Sequence, residues 1–297
     1  MIADEARRPD LRGLRIIAAC AAFAALTILG ASRAFSWDSR THRMIAHLAV
    51  GALPPSALKT FLAHNEWQLE GFAVAPDTIL AREYGHAEKL HHYIDLEDFG
   101  PDPFAALVPD YSAMQARWGE AALEESGTLP WTIEARAAQL EGDWRAADCA
   151  GALTVSGYLA HYIGDASQPL HTTVHFDGYP GDYGLHARLE STTDYHINEI
   201  AAIAAPQVHL IAVNSAWDAA ISEIRQSHQL VSDVIAADRA ARAAGPPRSD
   251  AFEAALMSRE EPLIATQIAR GASVLASVWL YEWNRAGNPA ACAEGGS

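Results

Sequence analysis

Cysteine is scarce in this chain of 297 residues: there are three, Cys20, Cys149 and Cys292. That scarcity excludes a structural zinc site built from thiolates. Positive charge is in deficit too, with 21 Lys and Arg against 37 Asp and Glu and a formal net charge of −16. An acidic surface disfavours non-specific attraction to nucleic acid or anionic lipid. It does not exclude a phosphate substrate, because bound metal ions can dominate the field of a single site. Repeats and low-complexity tracts are missing, and "VHLIAV" at 208–213 is the one short strand candidate. A G-x-S-x-G nucleophile elbow, a P-loop and a dinucleotide fingerprint are also missing, so no motif signals a serine nucleophile or a nucleotide cofactor.

What is present begins with a leader. Arg7, Arg8, Arg12 and Arg15 precede an apolar run at 16–31, and Ala34 and Ser36 place small residues before a cleavage point. Residues 1–36 read as a secretory signal peptide, since the run is too short and wrongly flanked for a membrane span. No second apolar run looks long enough to cross a bilayer. A secreted or periplasmic soluble protein is expected, with Trp37 as its new N-terminus. Residues 1–36 carry five Arg and three acidic residues, so their removal takes the formal charge from −16 to −18. Cys149 and Cys292 would remain; in an oxidising compartment they could pair, although nothing in their spacing requires it.

Half of the residues are hydrophobic, enough for a sizeable core. Apolar positions recur at three- and four-residue spacing over 56–67, 103–123, 130–144, 149–165, 216–244 and 262–283, which predicts helices there. Gly- and Pro-bearing stretches at 98–103, 177–184 and 245–249 read as loops between them. The fold class is all-α, as one multi-helix domain over 37–286 followed by a tail at 287–297.

The chemistry concentrates in "HYIGDASQPLH", His161 to His171. His161 and Asp165 stand four residues apart, on one face of a helix. Pro169 interrupts the helical pattern, which leaves His171 free to approach from another direction. His186 and Glu190 repeat the imidazole–carboxylate spacing. Upstream lie His42, Asp77, and His91, His92 and Asp95 in "HHYID". A lone core histidine is usually a hydrogen-bonded structural residue, and a single such pair also serves to stabilise a helix. Two pairs with a histidine between them point to zinc, which takes imidazole and carboxylate ligands. His47, His64, His86, His175, His196, His209 and His228 show no comparable pattern and read as structural or surface residues.

The motif H-Y-I-G-D-x-x-Q-P-L-H resembles the central motif of the superfamily of zinc-dependent phospholipases C and single-strand-specific zinc nucleases. The resemblance runs along the whole chain from Trp37. It implies an all-helical fold with three zinc ions in a cleft. One ion would take Asp77, His92, His161 and Asp165, and a second His171, His186 and Glu190. The third would take His42, Asp165 as a bridge, and the amine and carbonyl of Trp37, so ligation would require removal of the leader. His92 is chosen over His91 because the family's ligand directly precedes the aromatic residue. Two close ions would lower the pKa of a shared water that attacks phosphorus, the third would stabilise charge on the phosphoryl group, and Asp77 would orient the nucleophile. By the same resemblance Tyr93 and Asp95 would occupy substrate-contacting positions.

The two branches differ at legible places. The five-residue step from Trp37 to His42 resembles the nucleases. Glu190 in place of Asp, Leu189 in place of Trp, and the lack of a Gly-Gly-Asn segment in 172–185 resemble the phospholipases. The preferred expectation is therefore a phospholipase C-type phosphodiesterase acting on phospholipid, as a monomer without a stable protein partner. The alternative is a nuclease acting on single-stranded nucleic acid. A zinc-binding exported protein without catalysis is the reading outside the enzymes, and the filled ligand positions argue against it.

Overall fold

From Leu159 to Ser167 every residue of one helix is buried, and the surrounding elements are placed so as to cover it. The computed structural model describes residues 39–289 and 292, all within one compact unit, Phe35–Ser297. The helices of eight residues or more are α1 Ser39–Ala52, α2 Ala57–His64, α3 Tyr111–Trp118, α4 Leu129–Arg145, α5 Cys149–Ser167, α6 Leu185–Tyr195, α7 Ile197–Ala204, α8 Ala216–His228, α9 Val231–Ala244 and α10 Asp250–Arg285. The fold class is all-α: among the described residues there is no strand. Asp148, Ser215 and Ser249 cap α5, α8 and α10 by accepting from backbone N–H groups three residues on, which satisfies donors that have no partner inside the helix.

Helix α5 is the central rod. Gly157 lets the short helix Glu66–Phe72 cross it closely, since a Cβ there would lie 2.3 Å from Phe72 Cβ. Helix α4 and helix α10 cover other faces, and the Trp144 ring lies edge-on between Phe61 at 5.4 Å and Trp283 at 4.8 Å. A disulfide joins Cys149, at the start of α5, to Cys292, which settles the pairing that spacing left open. The leader expected at 1–36, Trp37 and Asp38, and residues 290, 291 and 293–297 of the tail lie outside the described residues.

Several expected elements differ in extent. The run 56–67 breaks at Asn65 into α2 and Glu66–Phe72. The run 103–123 is three helices, because residues 107–110 are extended or bent around Pro109 and Gly119 adopts φ 85°. The run 216–244 divides at Gln229 and Leu230, and the last helix begins at Asp250, twelve residues before Pro262. "VHLIAV" is not a strand. His209 N–H and Ile211 N–H donate to Ser273 Oγ and Ser277 Oγ of α10 at 3.1 and 2.9 Å, so side chains replace a ladder partner. Contrary to the hydropathy expectation, α10 is long and apolar enough to cross a bilayer, but 78% of its apolar window is buried within the fold.

Candidate metal centre

Helix α5 presents His161 and Asp165 one turn apart, both at 0% exposure. Gln168 then turns extended, and Pro169 opens a 3₁₀ turn that carries His171. Helix α6 brings His186 and Glu190, and its start is fixed by Asp177, which accepts from the N–H groups of Gly184 and His186. His42 lies on α1, whose first turn is held by Asp194 of α6 through Thr41 N–H at 2.9 Å. Asp77 sits on a π-helical turn, Pro76–Leu80, a geometry common at functional sites. His92 ends a 3₁₀ turn, Leu90–His92.

These segments bring eight of the nine expected residues into two adjoining groups; Trp37 is outside the described residues. Asp165 Oδ2 lies 3.2 Å from His92 Nδ1 and 3.4 Å from His161 Nε2, and Oδ1 lies 3.5 Å from His42 Nε2. Asp77 Oδ1 is 3.6 Å from His92 and 3.8 Å from His161. In the second group Glu190 Oε1 is 2.6 Å from His186 Nε2 and 3.4 Å from His171 Nε2. Each of the trios His42–Asp77–His161, His92–His161–Asp165 and His171–His186–Glu190 offers ligand atoms within 4.8 Å of one another.

The donor set fits cations. Both Asp165 oxygens are buried without a well-directed hydrogen bond. The Nδ1–H groups of His161 and His171 donate to the carbonyls of Ala73 at 2.8 Å and His92 at 2.6 Å. Those bonds leave Nε2 of each ring as a lone pair facing the group. Their neighbours are again ring nitrogens, His92 Nδ1 at 2.9 Å and His186 Nε2 at 3.1 Å. Such contacts need a proton or a metal ion between them. Burial opposes charge on His92, yet Asp165, Glu88 and Asp77 together push its pKa up to about 10. Burial likewise opposes the Asp165 carboxylate, but His161, His171, His92 and His42 hold it below the usual carboxylate range. The cluster is thus an electronegative pocket that attracts positive charge.

The two expected substrate residues part company. Asp95 lines a cavity of about 500 Å³ with Asp98, Phe99, Trp118, Glu125 and Ser126. Burial first, then Asp98 and Glu97, push its pKa up to about 7. Tyr93 instead donates its hydroxyl to the Glu125 carbonyl at 3.2 Å. The cavity adjoins the metal centre, because Ile94 N–H donates to the His171 carbonyl and Asp95 N–H to that of Ser126.

Sequence reasoning left three supporting residues without a role. Gly164 is needed because a Cβ there would lie 2.8 Å from His42 Nδ1. Gln168 donates to Glu190 Oε1 at 3.1 Å and accepts from Leu170 N–H at 2.5 Å. Glu88, buried beside His92, was signalled only by its four-residue spacing from that histidine.

With this geometry in hand, the comparison with known families is decisive: the S1/P1 Nuclease model matches residues 37–282. The chain belongs to the S1/P1 nuclease family. A search of curated proteins returned no match. Membership makes the chain a zinc-dependent phosphoesterase, and the buried imidazole–carboxylate groups are its candidate metal sites. It also corrects the balance between substrates, because the family favours the nuclease alternative over the phospholipase C expectation. Glu190, Leu189 and the lack of a Gly-Gly-Asn segment in 172–185 carried that expectation, and Glu190 supplies the same carboxylate chemistry as Asp would.

Proposed function

We propose that this chain is an exported nuclease that hydrolyses phosphodiester bonds of single-stranded nucleic acid with three zinc ions. Asp77, His92, His161 and Asp165 would hold one ion, His171, His186 and Glu190 a second, and His42, Asp165 and the N-terminal Trp37 the third. Zinc supplies Lewis-acid stabilisation of phosphoryl charge and activates water for attack on phosphorus. The observation that carries the choice of substrate is the Asp95 cavity beside the metal centre. Carboxylates of Asp95, Asp98 and Glu125 offer acceptors to the amino and ring N–H groups of a base, and Phe99 and Trp118 offer aromatic walls, a combination that suits unstacked bases. The missing Gly-Gly-Asn segment then means that base recognition rests on this wall and not on 172–185.

Export is supported by the leader pattern, by the Cys149–Cys292 disulfide, a bond of oxidising compartments, and by a family match that begins at Trp37. The test uses mature protein loaded with zinc and offered single-stranded DNA and RNA, duplex DNA, phosphatidylcholine vesicles and a chromogenic phosphodiester. Cleavage of single strands over duplex is expected. Lipid turnover without cleavage of single strands would overturn the proposal. Protein carrying extra residues before Trp37 is expected to hold less zinc, and full loading of that form would remove the amine from the ligand set.

A further inference from the structure

Glu88 lies outside the ligand set, yet it is buried to 2% exposure beside it. It belongs to the short helix His86–Lys89, four residues before His92. Its carboxylate meets three groups. The Tyr162 hydroxyl donates to Oε1 at 2.5 Å, His92 Nε2 stands 3.5 Å from the same oxygen, and His91 Nδ1 stands 3.5 Å from Oε2. His92 turns its other nitrogen, Nδ1, towards His161, Asp165 and Asp77 at 2.9, 3.2 and 3.6 Å. A neutral imidazole carries one proton. With that proton on the side of Glu88, Nδ1 is left as a lone pair facing the other ligands.

His161 and His171 reach the equivalent state by donating to backbone carbonyls. His92 is different, because its outer partner is a carboxylate side chain, whose Oε1 also accepts from the Tyr162 hydroxyl. A carboxylate behind a metal-bound imidazole fixes the tautomer and raises the basicity of the ligand. We propose that Glu88 is a positioning residue for His92, orienting its ring and strengthening its grip on the ion shared with Asp77, His161 and Asp165. Tyr162 in turn holds Glu88 in place. The inference rests on the zinc reading of the centre.

Glu88→Gln, Tyr162→Phe and His86→Gln are the variants that test it. Each is loaded with zinc, equilibrated against graded chelator and assayed by elemental analysis, and the cobalt(II) forms are compared by visible absorption. Glu88→Gln is expected to weaken one zinc by about 10- to 100-fold and to shift the cobalt bands. The melting temperature of its metal-free form should stay near that of the wild type. Tyr162→Phe, which keeps the carboxylate, should shift retention in the same direction by less, and it carries the test if Glu88→Gln does not fold. His86→Gln, an exposed position on the same short helix, should retain zinc as the wild type does. Wild-type retention and spectrum in Glu88→Gln would overturn the proposal, as would an equal loss in His86→Gln. A wild type that takes up no zinc would overturn the metal reading itself, an outcome distinct from loss confined to the variants.

Discussion

Asp165 faces three histidines within 3.5 Å, His42, His92 and His161, and each of its oxygens serves a different part of the cluster. Removing its charge should therefore empty more than one site. Asp165→Asn is expected to lower bound zinc from the three proposed ions to one, measured by elemental analysis, whereas loss of a single ion would contradict the bridge. Asp95 carries a pH signature. Its pKa, pushed up to about 7, makes it a neutral acid below that pH and an acceptor-only carboxylate above it. KM for oligonucleotides should rise as pH falls through about 7. Asp95→Asn should flatten that dependence and raise KM at pH 8 by roughly tenfold, since a hydrogen bond to a charged group contributes about 1.5–3 kcal/mol. Turnover of a small chromogenic diester serves as the control, because that substrate carries no base for Asp95 to bind.

At the scale of elements, close approach sets the tolerances. The His42 ring stacks on that of His161 with centroids 4.0 Å apart, and Gly164 leaves room for it on α5. Gly164→Ala would place a methyl group 2.8 Å from His42 Nδ1, so the His42 ring must move from its place over His161. The expected result is loss of the ion assigned to His42 and a destabilisation of about 1–3 kcal/mol, read by zinc content and denaturant unfolding. Much of this level was legible in the sequence. The four-residue spacing of His161–Asp165 and His186–Glu190 placed each pair on one helical face, and the helix does break at Pro169. Gln168, Gly164 and Glu88 were harder to read, because their roles depend on which element packs opposite, and no periodicity encodes that. The same limit explains the strand candidate at 208–213. Its apolar composition suits a strand, but its backbone partners are two serines on α10, more than 60 residues away in sequence.

For the whole molecule, the disulfide and the buried last helix govern persistence. Cys149 and Cys292 are 143 residues apart, so their bond removes a large loop-closure entropy from the unfolded chain. Cys292→Ser is expected to cost about 2–5 kcal/mol, seen as a lowered denaturant midpoint with an unchanged far-ultraviolet spectrum. The all-helical class and the chemistry of the centre followed from composition and motif. The substrate did not, because the cavity proposed to select the base is assembled from residues between 95 and 126 together with Val174, and of these only Asp95 stands in a motif.

One bond gives these scales a common consequence. His171 hangs by its Nδ1–H from the carbonyl of His92, so a proposed ligand of one ion is tethered to the main chain of a proposed ligand of another. Ordering of the first cation would therefore preorganise the pocket for the second, and the free energy of that ordering would be shared between them. Titration of the metal-free protein with zinc should accordingly be cooperative, with few singly loaded molecules in native mass spectra. An independent, stepwise filling of the two groups would show that the tether does not transmit between them.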